Sequence, residues 1–293
     1  KKLTLLALLT ACGEKPMVID GTIKGYDGGL LLVSATGDFS MDTLQVADDG
    51  TFHFEKFIDK ACDGFICVQG KGSSWAVFIP GEEYRFDVDM TVTPSVWTYS
   101  GKNQDAMDFL EYYRGIYSSF TDPEGLDDFK KYSAYWADCE KNALDSLAKV
   151  SSRKARELFT DKIAINSAYK NLSWAWKLRK NNIPFESDQD FMAFFDNVDL
   201  SEEGMCKAML SSMVNIKADI YDNTLEYSIR YLKAIDDLSP NLHVRDSVAA
   251  KYLESLFRDS KVGSEETAAF LLAKAEEEDV RTLHKAELKI LQI

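Results

Sequence analysis

Apolar and polar residues alternate with a period of two from Met17 to about Ser100, and the period lengthens to about 3.6 after Gly101. In "EYRFDVDM", Tyr84, Phe86 and Val88 fall on one side and Glu83, Arg85, Asp87 and Asp89 on the other, as in a half-buried antiparallel strand. "GLLLVSA", "DTLQVA", "TFHFEK", "GFICVQ" and "SWAVFI" add short runs separated by Gly, Asp and Ser, the spacing of a sandwich or barrel. Asp49-Gly50 and Gly28-Gly29 read as hairpin signals, because these residues tolerate positive φ. Phe52 and Phe54 then face the core and His53 faces solvent.

The second pattern predicts helices, beginning at "NQDAMDFLEYYRGIY" and interrupted at Thr121-Asp122-Pro123, Ile183-Pro184, Ser239-Pro240 and Gly263-Ser264. Pro123 suits the first helical position, and Ser187 and Ser264 suit N-caps followed by acidic residues. Val244, Val248, Tyr252 and Leu256, flanked by Leu253 and Phe257, form a stripe that must be buried. The expected fold is therefore an N-terminal antiparallel β-sandwich or barrel at 17–101 followed by an all-α domain at 103–293.

Ahead of both modules, Lys1 and Lys2 precede "LTLLALL", the charged-then-apolar order of an export signal. The run is far shorter than the roughly 20 residues of a membrane span. Leu9-Thr10-Ala11-Cys12 resembles the bacterial lipobox, which marks residues 1–12 as a lipoprotein signal and Cys12 as the lipidated first residue of the mature chain. The alternative is an apolar N-terminal segment in which Cys12 is incidental. Lipidation would place the protein in the cell envelope, on the periplasmic side of the inner or outer membrane or at the surface.

Composition narrows the partners. A chain of 293 residues that is 45% hydrophobic can bury one large core or two modest ones. Its formal charge is −14, and loss of Lys1 and Lys2 with the signal leaves 32 basic against 48 acidic residues, or −16. Such a surface repels phosphate backbones and anionic lipid headgroups, so nucleic acid is excluded and the lipid is the expected membrane contact. An envelope protein or a second copy of the chain is the expected protein partner. Four cysteines remain after Cys12: Cys62, Cys67, Cys139 and Cys206. Cys62 and Cys67 flank Asp63-Gly64; separate free thiols are the preferred reading and a hairpin bridge between them is the alternative.

Catalytic motifs are not evident. His53, His243 and His284 are isolated in sequence, with no serine elbow and no paired zinc histidines. "QGKGSSW", with Gly70 and Gly72, lacks the lysine-hydroxyl ending of a phosphate loop and reads as a turn. Carboxylates are abundant, but abundance does not supply the facing pair of a glycosidase. "AEEEDV", with Glu276 to Asp279, reads as an acidic first turn rather than a calcium loop. No cofactor and no metal are expected. Trp174 and Trp176 lie two apart on a predicted helix, so one of them can be exposed, although core packing is the simpler account of both. Asp42-Thr43-Leu44, Asp145-Ser146-Leu147 and Asp246-Ser247-Val248 resemble short bacterial O-glycosylation acceptors at Thr43, Ser146 and Ser247.

Gly21-Thr22-Ile23-Lys24-Gly25, Asp42-Thr43, Asp49-Gly50-Thr51-Phe52 and Ile79-Pro80-Gly81-Glu82 together resemble the β domain at the front of Bacteroidetes-type envelope thiol–disulfide oxidoreductases of the TlpA/ResA-like family. The resemblance covers residues 17 to 100. In that family a helical segment follows and then a thioredoxin domain with W-C-x-x-C, a motif this chain lacks. The resemblance implies a non-catalytic lipoprotein that binds, docks or acts as a spacer, or the front of a longer redox enzyme continuing past Ile293. The apolar face of Leu283, Ala286, Ile290 and Ile293 leans to the second. A glycan-binding accessory lipoprotein is the third expectation.

Overall fold

The computed structural model describes residues 15–36, 40–118, 125–221, 224 and 226–258. Two four-stranded sheets form the N-terminal region, and neither closes into a barrel. The first contains β1 (Met17–Lys24), β4 (Thr51–Lys56), β7 (Glu83–Asp89) and β8 (Val96–Gly101) in the order β4-β1-β7-β8. The second contains β2 (Leu31–Ser34), β3 (Asp42–Leu44), β5 (Cys62–Val68) and β6 (Gly72–Phe78) in the order β3-β2-β5-β6.

The expected all-antiparallel arrangement fails at one pair. β1 runs parallel to β7, with Ile19 opposite Tyr84 and Gly21 opposite Phe86. Parallel neighbours require a long crossover, and here the crossover is the whole second sheet with β4. The two hairpin signals part ways. Gly28-Gly29 lies between β1 and β2, which belong to different sheets, so that turn closes no hairpin, whereas Asp49-Gly50 does close a tight antiparallel turn, bridging Val46 to Phe52, although it also leads from β3 in the second sheet to β4 in the first. In the second turn Ala47 exchanges backbone bonds with Gly50 and Thr51, and Asp49 Oδ1 accepts from the Thr51 amide at 2.9 Å.

Two strands escape a simple alternation test. β1 buries Met17, Ile19, Gly21 and Ile23 in strict alternation, but Gly21 contributes no apolar side chain to the pattern. A Cβ there would lie 1.9 Å from the Phe86 carbonyl oxygen and 2.4 Å from the Phe52 ring. β8 is an edge strand whose Thr98 and Ser100 are exposed. The inward faces meet at Phe78 and Tyr84, whose rings are 5.5 Å apart, and the Ile79 amide donates to Tyr84 Oη at 2.7 Å.

The helices are α1 (Gln104–Tyr117), α2 (Phe129–Leu147), α3 (Arg153–Leu172), α4 (Trp174–Lys180), a 3-10 turn (Phe185–Ser187), α5 (Gln189–Asp196), α6 (Glu203–Ile220), α7 (Tyr227–Leu238) and α8 (Leu242–Arg258). Ser187 belongs to the 3-10 turn and donates to the Pro184 carbonyl at 2.6 Å. The α5 cap is the next residue, Asp188, which accepts from the Phe191 amide at 3.1 Å. Of the stripe expected on α8, Val244 is buried, Val248 is half-buried and Tyr252 stacks on Tyr231 at 3.9 Å, while the side chains of Leu253, Leu256 and Phe257 lie outside the description. Pro123, Ser264, Glu276 to Asp279 and the Leu283–Ile293 face lie outside the described residues.

The change of period at 101–103 is not the boundary between compact units. The first unit joins the strands and α1 to residues 141–162; the second comprises residues 125–140 and the described residues from 163 onward. α1 buries Ala106, Phe109, Leu110 and Tyr113, and the Phe109 ring sits 4.9 Å from Phe159 of α3. In the second unit Phe129 and Tyr132 of α2 pack on Trp174 at 6.0 and 5.1 Å.

Candidate functional site

β6 and β8 are the edge strands of their respective sheets, and both are in contact with α1. Edge strands leave backbone groups unpaired and need covering. Helix α1 supplies that cover in part: Met107 Sδ accepts the Val77 amide at 3.3 Å. On this helix Ala106, Leu110, Tyr113 and Tyr117 form the buried stripe, whereas Gln104, Asp108 and Glu111 recur at three- and four-residue intervals on another. The second stripe forms one wall of an open groove of about 460 Å³ whose other walls are β6 and β8.

Three aromatic rings line this groove, and each is fixed by identifiable contacts. Trp97 and Tyr99 alternate with exposed Thr98 and pair with inward-facing Val88 and Phe86, so they project into the mouth of the space between the sheets. Trp97 Nε1 donates to Ser95 Oγ at 3.2 Å, and Ser95 Oγ donates to the Lys71 carbonyl at 3.0 Å. This arrangement depends on Gly72, where a Cβ would meet Ser95 Oγ at 2.6 Å and Trp97 Nε1 at 3.3 Å. "QGKGSSW" thus holds the expected turn at Gln69 to Lys71, enters β6 at Gly72, and also supports Trp97. The Tyr99 ring lies 5.4 Å from Phe86, and burial pushes its phenol up to about 12, so it stays a neutral donor. Trp75 stands on the outer face of β6, 5.4 Å from Phe65, with the Arg114 guanidinium 3.7 Å above its ring. Partial burial lowers the pKa of Arg114, opposed by the charge of nearby Asp63.

Polar groups complete the lining. Asp108 and Glu111 offer acceptors from α1, Gln104 donates to Asp108 at 2.8 Å, and Ser73 and Ser74 add hydroxyls from β6. Both carboxylates rise from one helix wall. They do not face each other across the groove, the disposition that glycoside hydrolysis needs.

No protein-family model, curated protein or solved structure matches this chain.

None of the described cysteines lines the groove, although Cys67 pairs with groove-lining Ser73 across the β5–β6 ladder. Cys62 and Cys67 both belong to β5, Cys62 on its buried face and Cys67 on the opposite one. Five steps along the strand, each about 3.3 Å, put them roughly 16 Å apart, beyond the reach of a disulfide. The alternative of a bridge is therefore corrected: both thiols are free, as are Cys139 and Cys206. Cys62 Sγ donates to the Ala35 carbonyl at 3.0 Å, and burial, reinforced by Asp63, pushes the thiol up to about 11. Burial also raises the Cys67 and Cys206 thiols. Among the described residues, no three His, Cys, Asp or Glu side chains cluster as a metal site, and no helix is long and apolar enough to cross a membrane.

The tryptophans flagged by sequence separate as helical spacing allows. Trp174 is buried, donating Nε1 to Asp188 Oδ2 at 2.9 Å, while Trp176 is 65% exposed. Beside Trp176, a cavity of about 150 Å³ is bounded by Tyr169, Arg179 and Asn215. Arg179 is already committed there, to Asp219 and to the Asn215 carbonyl. Thr43 is exposed on edge strand β3, Ser146 is half-buried in α2, and Ser247 is exposed on α8. His53 and His243 are exposed, whereas Cys12 and His284 lie outside the described residues. Sequence reasoning missed Trp75, Trp97 and Arg114, because their convergence requires two sheets and a helix to meet.

Proposed function

We propose that this chain is a non-catalytic cell-envelope lipoprotein, anchored through lipid on Cys12, whose β unit binds or docks a partner molecule. Its two sheets pack face to face as a sandwich, with the groove at one open edge. The reading is related to the oxidoreductase resemblance but gives the chain no redox role of its own. The observation that carries it is the placement of Cys62 and Cys67 on opposite faces of β5, with Cys62 raised to about 11. At neutral pH the Cys62 thiol is therefore held in its protonated form, and exchange needs a thiolate with a resolving partner in reach.

In an insulin-reduction assay with dithiothreitol the isolated chain should match the blank. Acceleration that disappears in Cys62→Ser or Cys67→Ser would overturn the non-catalytic reading. For the anchor, Cys12→Ala should abolish fatty-acid labelling and detergent partitioning in cells. Unchanged partitioning would reject the lipobox.

A further inference from the structure

Building on the reading of a binding module, we infer that the groove between β6, β8 and α1 is a carbohydrate site that takes pyranose units of a neutral oligosaccharide. Its volume of about 460 Å³ lies within the range of small-molecule sites, roughly 300–1,000 Å³. A pyranose has an apolar C–H face and a rim of hydroxyls, each able to donate and accept. The groove answers both features. Trp97 presents an indole whose nitrogen is already bonded to Ser95, so the ring is held before ligand arrives and little rotamer entropy is lost on binding. The rim meets acceptors at Asp108 and Glu111 and donors or hydroxyls at Gln104, Ser74 and Arg114.

Other ligand classes fit less well. Two carboxylates in the wall and a chain charge of −14 repel polyanions. An organic cation would compete with Arg114, which already lies 3.7 Å from the Trp75 ring. A lipid tail would bury the carboxylates and the amide without partners, at a cost in desolvation. The small cavity beside Trp176 differs, because its cation is engaged by Asp219 and the Asn215 carbonyl. Trp176 therefore serves as the control.

The test titrates the full chain calorimetrically with cellohexaose, laminarihexaose, mannohexaose and xylohexaose. Saturable binding of at least one is expected, weakened at least tenfold by Trp97→Ala, largely retained in Trp97→Phe and changed less than twofold by Trp176→Ala. Asp108→Ala/Glu111→Ala, on exposed positions that leave the core intact, should weaken binding by a similar factor without shifting the melting temperature. Absence of binding to all four sugars overturns the carbohydrate assignment and leaves the non-catalytic reading standing. Binding lost in Trp176→Ala but kept in Trp97→Ala and in the double variant overturns the assignment to this groove. New reducing ends released from the bound sugar would support the ligand class and overturn the non-catalytic reading instead.

Discussion

His53 shows how one side chain ties sequence to pH behaviour. It faces Asp20 across the β1–β4 ladder, with Nδ1 2.7 Å from Asp20 Oδ1, and its other nitrogen lies 3.2 Å from Glu55. The Asp20 hydrogen bond is the main cause of its raised pKa, against an ordinary value of 6.5. A raised folded-state pKa gives stability that is complete below the unfolded value and is lost as pH climbs through the folded one. The denaturation midpoints of wild type and His53→Ala should therefore differ most near pH 5 and converge by about pH 9. A gap that widens with rising pH would contradict the pairing. The thiols provide a second residue-scale test. In a Cys12→Ala background, Ellman's reagent should label half-buried Cys67 and Cys139 well before buried Cys62 and Cys206 under native conditions, with all four equal in denaturant. Equal native rates would mean that β5 does not hold Cys62 inside. Outward placement of His53 was legible from alternation alone. The opposite placements of Cys62 and Cys67 became visible only when "CDGFICV" proved to be one unbroken strand.

At the scale of elements, α1 is the piece whose role the sequence describes least. Its period of 3.6 announces a helix, and its buried residues announce an amphipathic one, but the partner of the apolar stripe is not written in the stripe. Phe109 fills the space against Phe159, 4.9 Å away, whereas Tyr112 on the same helix is 41% exposed. Phe109→Ala should cost about 3–5 kcal/mol by urea unfolding, and Tyr112→Ala should stay within about 0.5 kcal/mol. Similar losses at both positions would show that α1 is not docked by this face. Six of the strands were marked by alternation or by apolar runs. β1 was obscured by Gly21, whose value lies in the missing Cβ that lets the Phe86 carbonyl and the Phe52 ring approach. β8 was obscured by its exposed Thr98 and Ser100, which suit an edge but weaken the apolar signal.

For the whole molecule, the contact boundary and the boundary in periodicity differ, and the difference can be tested. Because α1 and residues 141–162 belong to the first compact unit, a fragment ending at Gly101 should lose the cooperative unfolding of the full chain. In native-state hydrogen exchange of the full chain, the β5, β6 and α1 amides should open together as one block. A cooperatively folded fragment, or α1 exchanging independently of β5 and β6, would return the boundary to 101–103. The sequence by itself determined the order of a β-rich region before a helical one, the inward positions of most strands, the turn at "QGKGSSW" and a charge that repels polyanions. These follow from local periodicity, local φ preferences and a sum over residues, none of which depends on what lies next to what. Only the tertiary structure decided that β1 runs parallel to β7, that the turn glycines lead between sheets, and that Trp75, Trp97, Asp108 and Arg114 line one groove. Strand partners and convergent side chains are set by contacts between residues tens of positions apart, and a single sequence carries no local signal for such a contact.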